Sequence, residues 1–208
     1  MLNLDRLIVE FDKGLCTLFS QAHSARPHPD ANMPDAPLDE AERKHAAGLM
    51  RINHSGEICA QALYQGQALT ARDPAVQVEL KQAAQEETEH LAWTSRRVHE
   101  LGGHLSLLNP LWYTGSLTLG AVAGLMGDKW NLGFLSETER QVGGHLQSHL
   151  GKLPAHDEKS RAIVQQMYVD ETKHSDMAKR MGGAELPEPV KFAMKATSKI
   201  LTHTAYRI

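Results

Sequence analysis

The chain has 208 residues, a formal net charge of −3 at pH 7 and only 5% aromatic residues. That length suits one domain with a substantial core. Few aromatics beside abundant Ala, Leu, Gln, Glu, Lys and Arg favour helices and disfavour an all-β fold, and the mild acidity points to no nucleic-acid partner. Twelve histidines make metal chemistry worth testing. The two cysteines, Cys16 and Cys59, stand far apart and in no CxxC pattern, which reads as reduced, small apolar residues.

Residues 2–19 place Leu4, Leu7, Ile8, Phe11, Leu15, Leu18 and Phe19 on one face of an amphipathic helix. That face either packs on the domain or meets a membrane or a partner. Asp5, Arg6, Glu10, Asp12 and Lys13 interrupt its apolar run, so it is no signal peptide. Pro27, Pro29, Pro34 and Pro37 then mark 21–38 as a linker or irregular loop. The division is 1–39 as leading helix and linker, with 40–208 as the domain.

From 40 to 71 a helical pattern brings Met50, Asn53, Glu57, Tyr64 and Ala68 near one face. Asp73 caps and Pro74 opens a second helix that runs to Leu101, where Gly102 and Gly103 end it. Its buried stripe runs Val76, Leu80, Ala83 or Ala84, Glu87, His90 or Leu91, Thr94, Val98 and Leu101, with two ionisable residues in mid-stripe. Residues 105–127 carry no charge, but Asn109-Pro110 and many Gly, Ser and Thr argue against a transmembrane span. Two readings of this crossover stand: a helix on a membrane surface, anchored by Trp112, Tyr113 and Trp130, or a buried connection. A third main helix covers about 129–152. Pro154 breaks the chain, and Asp157 caps a fourth that reaches Met181 with the stripe Ile163, Met167, Glu171, His174, Ala178 and Met181. A last amphipathic helix carries Val190, Ala193, Met194, Thr197, Ile200 and Leu201 on one side. Lys191, Lys195 and Lys199 form a stripe that is either a solvated face or suited to anionic lipid heads.

The two halves repeat. Glu57 stands 30 residues before Glu87, which is followed by His90; Glu139 stands 32 residues before Glu171, which is followed by His174. Residues i and i+3 lie about one turn apart on the same helical face. Two antiparallel Glu-x-x-His helices and two helices with one Glu each would therefore gather four carboxylates and two imidazoles. Oxygen and nitrogen donors without thiolate suit iron or manganese. Four-helix bundles of the ferritin-like class hold a dimetal site of this kind, and four carboxylates offset two divalent ions. Glu86 and Glu89 compete with Glu87, but only Glu87 stands three before His90. Glu137 competes with Glu139, and the matched spacing favours Glu139. Asp170 and Glu86 are candidates to orient the histidines of the opposite helices. His54 and His145 read as helix surface or as neighbours of the site. No Gly-rich dinucleotide loop, Walker motif or Ser-His-Asp arrangement appears.

"RINHSGE" at 51–57, "EETEH" at 86–90, the Glu139 segment and "DETKH" at 170–174 resemble the demethoxyubiquinone hydroxylases of ubiquinone biosynthesis. The resemblance covers most of 40–208, and the leading helix and linker resemble the longer proteobacterial members. Leu146 stands where the family commonly has Tyr. The resemblance implies an all-α, ferritin-like four-helix bundle with a long crossover and added amphipathic N- and C-terminal helices. It implies two iron ions held by Glu57, Glu87, His90, Glu139, Glu171 and His174, with Glu87 and Glu171 bridging. It implies O2-dependent hydroxylation of a polyprenyl methoxy-methyl-benzoquinol, NADH as reductant, and peripheral attachment to the cytoplasmic face of the bacterial inner membrane. Other ubiquinone-biosynthesis proteins and a second copy of the chain are further partners it admits. The competing readings are iron storage, a diiron enzyme acting on tRNA, and a helical lipid-binding scaffold.

Overall fold

In a computed structural model, residues 4–208 are described, apart from the side chains of Arg6 and Leu7. Residues 2 and 3 and the Leu7 side chain, part of the expected leading face, lie outside the described residues. The described chain is all-helical: α1 Leu4–Phe19, α2 Glu40–Thr70, α3 Pro74–Glu100, α4 Asn109–Leu125, α5 Asp128–Leu150, α6 Glu158–Arg180 and α7 Glu188–Ala205.

Three of the four main helices start where local chemistry satisfies their free N–H groups. Asp39 and Glu42 form a reciprocal cap on α2, Asp73 accepts from Ala75 N before Pro74 on α3, and Asp157 accepts from Ser160 N on α6. Gly102 and Gly182 end α3 and α6 at φ of 71° and 92°, a left-handed conformation that a side chain would strain.

α2 pairs with α3, and α5 pairs with α6. α4 is the crossover between the pairs and runs along α2. The two backbones touch: a Cβ on Gly120 would collide with the Leu63 carbonyl, and one on Gly66 with the Leu117 carbonyl. One side of the crossover is thus covered and the other is open. Tyr113, Gly120, Ala123 and Gly124 are buried, while Leu111, Leu119, Val122 and Leu125 are exposed. Among the described residues no helix is long and apolar enough to cross a membrane.

The bundle interior has two apolar layers. Met50, Trp93, Leu146, Ile163 and Met167 belong to one. Tyr64, Leu80, Leu132, Leu135 and Ala178 belong to the other. The positions between them on all four main helices are ionisable.

The outer helices behave differently. On α1 the apolar side is turned outward, with Phe11 69% and Phe19 71% exposed. α7 lies across the bundle and is anchored at its end, where the Tyr206 hydroxyl meets His45 Nδ1 at 2.8 Å and its carbonyl accepts from Arg51. Lys191 on α7 is bound to Glu185 and Glu188, so it leaves the expected basic stripe to Lys195 and Lys199.

Candidate metal centre

Each main helix sends its mid-stripe carboxylate inward. Glu57 (α2), Glu87 (α3), Glu139 (α5) and Glu171 (α6) are buried, as are His90 and His174. One ligand atom from each of Glu57, Glu87, His90 and Glu171 lies within 4.8 Å of the others. His90 Nδ1 is 3.0 Å from Glu87 Oε2, 3.2 Å from Glu171 Oε1 and 3.5 Å from Glu57 Oε2. His174 Nδ1 is 3.2 Å from both Glu87 Oε1 and Glu171 Oε2. Glu139 joins this end through Tyr64, whose hydroxyl donates to Glu139 Oε1 at 2.7 Å and lies 3.4 Å from His174 Nδ1. The structure thus brings all six sequence-derived candidates together.

The competing residues separate cleanly. Glu137 is held by Arg140 and Gln141 on the outer face of α5. Glu89 faces the chain before α2 and accepts from Ser24, Ala25 and Arg26. Glu86 and Asp170 take the outer nitrogens of the histidines: His174 Nε2 is 3.0 Å from Glu86, and His90 Nε2 is 3.3 Å from Asp170. Accepting those N–H groups leaves both Nδ1 atoms aimed at the cluster.

The electrostatics match a site built for cations. Burial, followed by the Glu87 charge, raises the Glu57 carboxyl well above the usual range. Burial and then Glu171 and Glu87 do the same to Glu139. Burial works against the His174 imidazolium, but Glu171 and Glu87 outweigh it and push its pKa up to about 12. The metal-free cluster therefore stores protons that metal ions would displace. Glu87 Oε1 and Glu171 Oε1 are buried and accept no well-directed hydrogen bond, each lying 3.2 Å from a histidine Nδ1. A buried carboxylate oxygen without a donor is costly unless a cation takes the donor's place. The donor set fits two divalent ions of the iron or manganese type.

Two cavities flank α2. One, of about 350 Å³, lies between α2, α4, α5 and α7, and Glu57 is the one carboxylate in its lining. The other, of about 790 Å³, is more polar, lies beside α1 and α3, and meets the cluster only through Tyr64. The internal repeat explains the difference. Tyr64 stands seven residues after Glu57 and supplies a hydroxyl to the opposite half. Leu146 stands seven after Glu139, has no hydroxyl to give, and lines the apolar cavity near Glu57. His145, which the sequence places off the Glu139 face, also lines this cavity, where burial and nearby lysines lower its pKa and favour neutral imidazole. His54 is buried and lowered to about 4.

A family model described as Ubiquinone biosynthesis protein COQ7 matches residues 44–205. The chain belongs to the COQ7 family. Relatives at similar length agree with the COQ7 assignment. A 3-demethoxyubiquinol 3-hydroxylase of Chromobacterium violaceum is 65% identical over 99% of this chain and 100% of its own. One of Dechloromonas aromatica is 63% identical over 98% of each chain. Among solved structures, a dodecameric thioferritin, the bacterioferritin-related protein from Bacteroides fragilis, superposes with a TM-score of 0.57 at 19% identity, over 78% of this chain and 91% of that one. The COQ7-family chain thus has the expected ferritin-like fold.

Sequence reasoning missed the chain between α1 and α2. Expected as a linker or irregular loop, it is irregular and is docked on the bundle. Arg26 pairs with Asp170 at 3.0 Å and lies 4.8 Å above the Trp93 ring, and Asp30 is buried against Arg96. The only signal in the sequence was an unexplained Arg and Asp among prolines.

Proposed function

We propose that this chain hydroxylates a polyprenyl 3-methyl-6-methoxy-1,4-benzoquinol at its open ring position, in ubiquinone biosynthesis, with O2 as cosubstrate and NADH as the electron source. Glu57, Glu87 and His90 would hold one iron and Glu139, Glu171 and His174 the other, with Glu87 and Glu171 shared. When bound, the irons supply O2 activation and redox chemistry, which no side chain offers.

The observation that carries this reading is the apolar cavity ending on Glu57. Its volume is in the range of small-molecule sites. The protein's part is to seat the ring and keep water out. Asn53, Gln141 and His145 give the cavity a few hydrogen-bonding groups among otherwise apolar walls. Asn53 is held by the imidazole of His149, Nδ1 to Oδ1 at 2.7 Å, which fixes its amide. Gln141 is tied to Glu137 and the Lys191 carbonyl. α7 roofs the cavity with Val190, Met194 and Leu201, so the prenyl tail leaves between α4 and α7.

The tail resides in lipid, which makes the outward apolar side chains of α1, α4 and α7 the membrane-facing surface. Leu4, Ile8, Phe11, Leu119, Val122 and Phe192 are exposed there. Their burial at a bilayer interface gives peripheral attachment without a span, on the cytoplasmic face of the inner membrane.

The test combines metal analysis with a quinone profile. The purified chain should hold about two irons, as dimetal bundles do. A deletion strain should accumulate demethoxyubiquinone and be rescued by the wild type but not by Glu171→Ala. Normal ubiquinone in a deletion strain with no other hydroxylase would overturn the assignment.

A further inference from the structure

The cluster is nearly symmetric, but what stands behind its two histidines is not. Behind His90 lies Asp170, whose side chain is 1% exposed and has every oxygen engaged. Its Oδ2 accepts from Arg26 Nη1 at 3.0 Å beside His90 Nε2, and its Oδ1 accepts from Lys173 at 2.9 Å and Gln166 at 3.1 Å. Arg26 is itself fixed from three directions. Its guanidinium lies over Trp93, its backbone N–H and that of Ala25 donate to buried Glu89, and Ser24 takes a hydrogen bond from Trp93 Nε1 at 3.0 Å. Trp93 in turn packs 5.3 Å from the His90 ring. Residues 24–26 therefore form a strap that clamps one end of the cluster.

Behind His174 stands Glu86 alone. Its side chain is 34% exposed, and its other contact is Gln82 at 3.5 Å. Beyond His174 no cation pairs with it among the described residues, and no strap covers it. A group that orients a ligating histidine fixes the ring and sets its basicity, and its removal typically costs 10–100-fold in metal affinity. A rigid, buried carboxylate orients better than a partly exposed one held by fewer contacts.

We propose that the two metal positions are unequal: the strap, acting through Arg26 and Asp170, locks the ion on His90, whereas the ion on His174, backed by Glu86, exchanges first. This rests on the dimetal reading of the cluster. Arg26 is a positioning residue that acts through Asp170 and through Trp93, which packs on the His90 ring.

The test uses the full chain loaded anaerobically with ferrous iron and challenged with excess ferrous chelator. Release should occur in two phases of equal amplitude. Arg26→Ala should speed the slow phase about 10-fold and leave the fast phase unchanged, and Arg26→Lys should recover part of the slow rate. Glu86→Gln should speed only the fast phase. The unfolding midpoint of each metal-free variant reports folding separately, and the phase that does not move is an internal control. A single phase in the wild type, no effect of Arg26→Ala, or both variants moving the same phase would overturn the inequality while leaving the dimetal reading intact. Failure to bind iron at all would remove that reading and this one together.

Discussion

Glu87 and Glu171 occupy equivalent places in the two halves, and each reaches both histidines. Glu87 sets Oε2 3.0 Å from His90 Nδ1 and Oε1 3.2 Å from His174 Nδ1; Glu171 sets Oε1 and Oε2 3.2 Å from the same two atoms. Each spans the whole site. Glu87→Gln or Glu171→Gln should therefore lose both irons, with affinity falling by more than the roughly 10–100-fold typical of groups that only support a ligand. Glu57→Gln and Glu139→Gln each serve one end and should keep measurably more metal. Iron content after gel filtration decides between these outcomes.

The same cluster burdens the metal-free fold. Burial and neighbouring charges hold the Glu139 pKa well above the 4.5 of an unfolded chain. A pKa raised on folding contributes stability that is present below the unfolded value and is lost as pH rises toward the folded one. Glu139→Gln removes that loss and still accepts from Tyr64. Metal-free Glu139→Gln should unfold at a higher temperature than metal-free wild type, by on the order of 1 kcal/mol for each pH unit crossed, with the gap wider at pH 7 than at pH 5. An equal gap at both pH values would rule out the raised Glu139 carboxyl as its cause.

His149 carries the opposite sign. Burial, and then the neighbouring His145 and Lys152, lower it from 6.5 to about 4. A depressed pKa gives stability that is complete above the unfolded value and is lost as pH falls toward the folded one. Between pH 6.5 and 4 the wild type should lose up to about 3 kcal/mol through this group, a loss His149→Gln should not share. Thermal melts at pH 7, 5.5 and 4.5 measure the difference.

Gly56 borders the apolar cavity, and a Cβ there would meet nothing within 4 Å. Gly56→Ala should stabilise α2 by about 0.8–1 kcal/mol with activity kept. Gly56→Phe should project a ring into the cavity beside Glu57, raising the quinol KM several-fold or abolishing turnover while iron content stays at the wild-type level. Loss of iron in Gly56→Phe would mean that the cavity and the metal centre are not separable.

The outward face of α1 makes a prediction about location. Ile8 is 58% exposed and Phe11 69%. Burying each large apolar side chain is worth about 1.5–3 kcal/mol. Replacing both with Asp should lower binding to anionic vesicles by at least 10-fold, read by sedimentation, with iron content unchanged. Unchanged sedimentation would move the membrane contact away from α1.

The main helices and the six clustered side chains were legible because local rules decide them. Asp73 and Asp157 cap where the sequence places them, and a Glu-x-x-His run puts both groups on one face whatever surrounds it. The neighbours were legible too, since Asp170 and Glu86 directly precede Glu171 and Glu87. What stayed hidden depends on distant partners. Arg26 finds Asp170 across 144 residues of sequence, and no periodicity announces that meeting. Whether the apolar side of α1 is covered was likewise undecidable, because amphipathic spacing describes a face and not what lies against it. Lys191 looked like part of a basic stripe until Glu185 and Glu188 proved to be its partners.

The exchange of contacts between halves also orders events during synthesis. His90 and Glu87 leave the ribosome long before Glu171 and His174, the residues that face them, and α7 is made last. A nascent chain carrying only α2 and α3 holds half a set of ligands, with His90 left to balance both Glu57 and Glu87. The centre can close only once α6 has emerged, and the greasy chamber beside Glu57 is roofed after that. Metal loading at this centre therefore follows the emergence of α6, and a ligand of the chamber can be enclosed only once α7 has followed.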